Sequence, residues 1–161
     1  MLRLRAPLFA LIASLLISGC GFHLAGYYDV PENLRQVNLD IPDDRPSNIE
    51  THLTSLLEVN GVEITRRANY RLEILDERTR RRSASTSLSA DTIEYELIAT
   101  ARFSVSNGAG ELLIDNREVR AERFFNNNQN TTAKDALEVE IRRQLQEQLA
   151  QQIVRQYLSL K

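Results

Sequence analysis

The chain reads as a two-layer α+β domain: two helices packed on one face of a four-stranded mixed sheet, in the order β-α-β-β-β-α. Three observations predict it. From Ile93 to Val105 apolar and polar residues alternate with period two, as in a half-buried strand. Leu137, Ile141, Leu145, Leu149, Ile153 and Tyr157 step by four, the spacing of an amphipathic helix. A shorter stripe of Ile49, Leu53, Leu56 and Leu57 lies between two alternating segments. A strand–helix–strand unit of that kind favours a parallel pair with a right-handed crossover. Each helix has one apolar stripe, so one sheet face can receive both.

The elements follow in order. Val37, Leu39 and Ile41 alternate with Asn38 and Asp40 as the first strand, which Pro42-Asp43-Asp44-Arg45-Pro46 breaks. Ser47 opens the first helix, because Ser47 and Glu50 have the spacing of a capping box. Asn60-Gly61 ends it, with Gly61 free to turn left-handed. Val62 and Ile64 enter an extended segment. Tyr70, Leu72 and Ile74 then alternate with Arg71 and Glu73 as the second strand. Arg78, Arg80, Arg81 and Arg82 follow, and the Ser/Thr-rich Ser83 to Ser89 is expected as a loop or a flaring strand end.

The third strand puts Ile93, Tyr95, Leu97, Ala99, Ala101, Phe103 and Val105 on one parity. Glu94, Glu96, Thr100, Arg102 and Ser104 take the other, interrupted by Ile98. Asn107-Gly108-Ala109-Gly110 is a hairpin turn into the fourth strand. That strand changes apolar parity, from Leu112 and Ile114 to Val119 and Ala121, and a bulge near Asp115 and Asn116 accounts for the switch. After the polar break Asn126 to Asn130, Thr132 caps the long helix, with Asp135 in its first turn.

The N-terminus carries a different message. Arg3 and Arg5 precede an apolar run from Leu8 to Ile17, then Ser18-Gly19 and Cys20. This is the order of a secretory signal peptide. The run falls short of the about 20 apolar residues that span a bilayer. A lone cysteine after two small residues resembles a bacterial lipobox, with Ile17 where Leu is more usual. Such a box implies acylation of Cys20 and cleavage before it. The other reading is a plain secretory signal that leaves an unpaired thiol, a liability in an oxidising compartment. The division expected is a lipoprotein signal peptide at 1–19, a lipidated tether at 20–34 and a single domain at 35–161. Several acyl chains on one cysteine anchor stably where a single chain does not. In bacterial lipoproteins Asp after the cysteine often signals inner-membrane retention; Gly21 stands there instead, which allows transport to the outer membrane.

Of the 161 residues, 42% are hydrophobic and 26% charged, ordinary for a globular fold. Lys and Arg number 20, Asp and Glu 22. Loss of Arg3 and Arg5 with the signal leaves 18 against 22, a net charge of −4. That balance argues against a general nucleic-acid binder. With its single cysteine in the lipobox, the mature domain has no internal disulfide and depends on its apolar core.

Several stretches together resemble one family. They are Gly19-Cys20-Gly21-Phe22-His23-Leu24, Asn60-Gly61-Val62-Glu63 and Glu94-Tyr95-Glu96-Leu97. Arg123-Phe124-Phe125-Asn126 with Gln129, and Ala133-Lys134-Asp135, complete the set. In this order and spacing, over nearly the whole chain, they are similar to the lipopolysaccharide-assembly lipoproteins of the LptE family. The resemblance implies two helices on a four-stranded mixed sheet and a nonenzymatic role. It implies a partner, the large outer-membrane β-barrel LptD, in which the domain sits as a plug and which it helps assemble. It also implies binding of lipopolysaccharide for insertion into the outer leaflet. The chain ends soon after Tyr157, without the long polar tail of some members.

Lipopolysaccharide bears phosphates and carboxylates, which fixed cations recognise, Arg in bidentate fashion. The candidate binding residues are Arg78, Arg80, Arg81, Arg82 and Lys134. The arginine run also reads as a solvated strand end, or as partners for acidic groups of the barrel wall. Lys134 matches a family lysine associated with lipopolysaccharide. It opens a helix, where a cation opposes the dipole while backbone N–H groups suit a phosphate. Asn126 to Asn130 serve as a helix-opening turn or as hydrogen-bonding groups for sugars or the barrel interior. Phe124 and Phe125 point to opposite sides of an extended chain, one to the core and one as an interface anchor.

Two other functions compete. Glu94 and Glu96 share a strand face about 7 Å apart, a spacing that two hydrolytic carboxylates can use, as in a periplasmic glycan hydrolase. A lipoprotein scaffold or pilot for another envelope machine is the other. His23 and His52 stand apart in tether and helix, and the chain has no metal-ligand cluster or phosphate-cradling Gly loop. No cofactor is expected.

Overall fold

The computed structural model describes residues 30–41, 49–86, 92–126 and 131–160. A 3-10 turn at Glu32–Leu34 leads into β1 (Gln36–Asp40), α1 (Glu50–Val59), β2 (Glu63–Ile64), β3 (Arg71–Thr86), β4 (Thr92–Ser106), β5 (Leu112–Asn126) and α2 (Thr131–Leu158). The strands form one mixed sheet in the order β2-β1-β3-β4-β5. β1 runs parallel to β2 and β3, and β3, β4 and β5 are antiparallel.

The core lies between one sheet face and both helices. Leu97, Ala99, Ala101, Phe103 and Val105 are buried, on the parity that the alternation predicts. Ile141, Leu145, Leu149, Ile153 and Tyr157 of α2 are buried against them, and Ala150, Val154 and Leu158 extend the buried strip. Leu53 and Leu57 of α1, with Ile49 before it, join the same cluster. Each such large side chain contributes about 1.5–3 kcal/mol. Exposed helix pairs such as Arg143–Glu140 contribute little, so the buried stripe holds α2 in place.

The first and last described segments are clasped together. Val30 and Leu34, within the segment expected to tether, are buried in the core. The Tyr157 hydroxyl donates to the Leu34 carbonyl at 2.9 Å, with the Gln36 carbonyl 3.2 Å away. Burial, reinforced by the nearby Tyr70, pushes the phenol well above its ordinary pKa. It stays a neutral donor.

Turns follow the sequence closely. Gly61 has φ +78°. Val62 N–H donates to Leu57 O and Gly61 N–H to Glu58 O, both at 2.9 Å. This is the Schellman pattern, and the buried Leu57 and Val62 supply its apolar contact. In β5 the register slips between Ile114 and Arg117, with Asn116 at φ 40°. Asn116 N–H donates to the Ser104 hydroxyl at 3.0 Å. The bulge expected at Asp115 and Asn116 is present and its freed N–H is satisfied.

Four expectations need correction or qualification. The sheet has five strands, not four. The segment at Val62 to Ile64 pairs with β1 through Glu63 N–H to Arg35 O and Thr65 N–H to Val37 O, covering an edge otherwise unpaired. Second, of the two readings of the Ser/Thr-rich segment the strand end holds as far as Thr86, where β3 still runs alongside β4; Ser87 to Ser89 lie outside the described residues. Third, α2 begins at Thr131, so Thr132 lies inside the first turn and is no cap, and that turn holds no acidic residue. Fourth, α1 begins at Glu50 after Ile49 without a side-chain cap; Ser47, the expected cap, lies outside the described residues.

Candidate functional site: an arginine strand with two faces

The arginines belong to a strand with a flaw in its pleat. Leu72 and Ile74 of β3 face the core, but the register with β4 slips between Ile74 and Asp76. The extra residue, Leu75, reverses the parity beyond it. Directly paired residues share a face. Arg81 pairs with Leu97 and so lies on the helix side; Arg78, Arg80 and Arg82 pair with Thr100, Ile98 and Glu96 on the open side. The run expected as one cluster is divided between two surfaces.

On the helix side Arg81 bridges the layers. Its Nη1 donates to Glu138 Oε2 at 2.8 Å, and its guanidinium sits 4.9 Å from the Tyr95 ring centroid. Tyr95 stacks on Phe125 at 5.6 Å. Arg142 donates to Glu138 Oε1 at 2.6 Å through Nη2 and 3.2 Å through Nε. Burial pushes the Glu138 carboxyl up, but the bonds and charges of Arg142 and Arg81 outweigh it and hold the group below the usual carboxylate range. Lys134 lies in the first turn of α2, its backbone one turn before Glu138. The Arg81–Glu138 bond thus ties β3 to the N-terminal part of α2 across 57 residues of chain; the Lys134 side chain lies outside the described residues.

On the open side, rows of side chains cross β3, β4 and β5. The register gives Asp76–Arg102–Glu118, Arg78–Thr100–Arg120, Arg80–Ile98–Glu122 and Arg82–Glu96–Phe124. Arg78 reaches Asp76 at 2.9 Å, Arg102 reaches the same carboxylate at 3.6 Å, and Arg120 reaches Glu122 at 2.6 Å. Arg82 bonds Glu96. Among the described residues Arg80 alone of the four arginines makes no ion pair, and its side chain is exposed to solvent.

Glu94 and Glu96 do share the open face, but Glu96 is 1% exposed and held by Arg82. It is not a carboxylate free to work on a glycosidic bond. Phe125 is core and Phe124 is 54% exposed on the open face, which resolves the two aromatics. Arg102 and Arg120, which the sequence reading did not single out, complete the charged ladder. Their signal was the polar parity of the third and fourth strands. Cys20, Asn127, Asn128, Gln129 and Asn130 lie outside the described residues. Among the described residues no helix is long and apolar enough to cross a membrane.

The chain has clear relatives. The family model for LptE, described as lipopolysaccharide-assembly, matches residues 34–157. The LPS-assembly lipoprotein LptE of Pectobacterium atrosepticum is 31% identical over 164 residues, covering 98% of this chain and 88% of the relative. That of Photorhabdus laumondii is 27% identical over 153 residues, covering 92% and 82%. Among solved structures, a minor lipoprotein from Acinetobacter baumannii is similar with TM-score 0.67 at 25% identity, covering 78% of this chain and 92% of that one. Lipoprotein B from Nitrosomonas europaea gives 0.69 at 21% identity, covering 84% and 89%, and supports the fold alone. The match spans most of the folded unit and the Pectobacterium relative nearly the whole chain, so this protein belongs to the LptE family of lipopolysaccharide-assembly lipoproteins and its role is nonenzymatic.

Proposed function

We propose that acylated Cys20 anchors this protein in the outer membrane, that the domain plugs and helps assemble the LptD β-barrel, and that it binds lipopolysaccharide for insertion into the outer leaflet. The observation that supports this most is the agreement between the family match, residues 34–157, and the folded unit. The polarity of the molecule fits. The described chain begins at Val30, beside the start of β1, ten residues beyond Cys20. An extended chain of that length reaches at most about 36 Å. Arg81 lies ten residues along β3 from Arg71, about 33 Å at the strand rise, towards the opposite end of the sheet. A bilayer's hydrocarbon core is about 30 Å thick. An anchor in the periplasmic leaflet therefore suits cations presented near the level of the outer one.

Arg81 and Lys134 are the pair best suited to a lipid A phosphate. One is oriented by Glu138 and Tyr95; the other stands in a helix N-terminal turn, where N–H groups favour an anion. The test is purification of the tagged full chain from native outer membranes, with the mass of Cys20 read alongside. LptD and an acyl mass are expected. Recovery of secretion or peptidoglycan components without LptD would overturn the proposal.

A further inference from the structure

Where the described chain begins, the fold leaves a polar cleft away from the arginine strand. Glu32, Asn33, Arg35, Gln36 and Asn69 line a cavity of about 340 Å³, within the size range of small-ligand pockets. Its frame is held firmly. Leu34, buried among the core residues, is pinned by the Tyr157 hydroxyl. Leu34 N–H donates to Pro31 O at 2.8 Å and Arg35 N–H to Glu32 O at 3.3 Å. In this 3-10 turn Glu32 and Arg35, three residues apart, stand on one side.

The lining carries both signs of charge, and its hydrogen-bonding capacity is divided between them. Arg35 Nε donates to the Val30 carbonyl at 3.4 Å. Its two Nη groups have no partner among the described residues, and neither Arg35 nor Glu32 is in an ion pair there. Asn33 Nδ2 donates to the Tyr70 hydroxyl at 3.1 Å and Gln36 Nε2 to Glu63 Oε2 at 2.9 Å. With these nitrogens engaged, the amide oxygens of Asn33 and Gln36 are left as acceptors beside the Glu32 carboxylate. A guanidinium fork suits a phosphate. A set of acceptors suits a primary ammonium, which has three N–H donors.

One small group offers both: a phosphate and a primary ammonium joined by two carbons, the headgroup of an ethanolamine phospholipid. A bare phosphate would meet the Glu32 charge with nothing to neutralise it. A quaternary ammonium has no N–H and would leave the acceptors unfilled. Position supplies the source. The cleft starts two residues after Val30, itself ten residues beyond Cys20, and ten extended residues reach at most about 36 Å. An acylated Cys20 keeps the start of the domain within that reach of the leaflet that holds its lipid.

We infer that this cleft binds the phosphoethanolamine headgroup of a membrane phospholipid, Arg35 taking the phosphate and Glu32, with the Asn33 and Gln36 amide oxygens, the ammonium. This rests on the anchoring of Cys20 proposed above and adds a second, noncovalent hold on the same leaflet.

The test uses the isotopically labelled mature full chain in phosphatidylcholine bicelles, with the mass of Cys20 read on the same sample. Dihexanoyl phosphatidylethanolamine, dihexanoyl phosphatidylglycerol and free phosphoethanolamine are titrated in turn while the amide signals of residues 32–36 and Asn69 are followed. Saturable shifts are expected with the ethanolamine lipid, and binding weaker by about tenfold or more with the other two. Glu32→Gln and Arg35→Gln should each weaken the ethanolamine lipid about tenfold, the loss of one charge-assisted hydrogen bond. Arg67→Gln, at an exposed turn outside the lining, should leave it unchanged. Unaltered signals in the rest of the spectrum confirm that each variant folds. No shift at residues 32–36, an equal response to the glycerol lipid, or an affinity that survives Glu32→Gln overturns the inference, while an acyl mass on Cys20 leaves the anchoring standing. Equal affinity for free phosphoethanolamine overturns the membrane as source. An unmodified Cys20 overturns the anchoring, and the membrane source falls with it.

Discussion

Arg81 and Arg82 are neighbours in the chain and belong to opposite surfaces. One joins the sheet to α2 through Glu138; the other holds the buried Glu96 on the open face. This difference sets the residue-scale predictions. Neutralising Arg81 or Lys134 with Gln should weaken binding of lipopolysaccharide to the purified full chain about fivefold each, the effect of about 1 kcal/mol at a half-exposed ion contact. Arg78→Gln should leave that binding unchanged in the same titration. Glu138 carries a pH signature. Its folded carboxyl is held below the usual range, so its contribution to stability is present above the ordinary carboxylate pKa. That contribution is lost as pH falls through the lowered value. Urea midpoints should therefore show Glu138→Gln less stable than wild type at pH 7, with the gap closing below about pH 4. A pH-independent gap would mean that the carboxylate's charge is irrelevant. Tyr157→Phe removes the donor that clasps Leu34 and Gln36. It should cost about 1 kcal/mol and speed amide exchange in residues 30–36.

At the scale of elements, the legible parts of the fold were those with a period. β4 shows one uninterrupted apolar parity, and α2 one stripe stepping by four. β3 beyond Leu75 shows neither. Its helix-side residues Glu77, Thr79, Arg81 and Ser83 are all polar, so nothing local marks them as strand; β4 supplies the partner that makes them one. β2 has only two residues, too few for any pattern, and exists because β1 has a free edge. The β5 bulge was legible because its apolar residues change parity across it. The β3 bulge was not, because apolar residues stop where it begins. That is also why the arginine run read as a single cluster. Two substitutions test the elements. Gly61→Ala, at φ +78°, should cost about 1–2 kcal/mol with the helix stop otherwise unobstructed. Leu149→Ala, fully buried between α2 and the sheet, should cost about 2–5 kcal/mol. Denaturant titration checks both, and a smaller loss for Leu149→Ala than for Gly61→Ala would contradict this account of what holds α2.

Across the whole molecule, the proposed function draws on polarity along the strands and on the difference between the two sheet faces. Val30 and Leu34 are held at one end by the Tyr157 clasp, and Arg81 stands towards the other. One sheet face is filled by helices; the other keeps its charges in register. The family could be read from short stretches in order because they sit at fixed places in this frame: Asn60-Gly61 at the helix stop, Tyr95 and Phe125 in one stack, Lys134 at the start of α2. The division of the arginines between the two sheet faces could not, since it depends on a one-residue slip in β3. The most direct measurement is depletion of the protein in its native cell, with the amount of mature LptD in the outer membrane followed by immunoblot. A protein that acts by occupying and steadying the barrel predicts that mature LptD falls in step with it, together with surface lipopolysaccharide. Undiminished LptD and undiminished surface lipopolysaccharide after depletion would contradict the account.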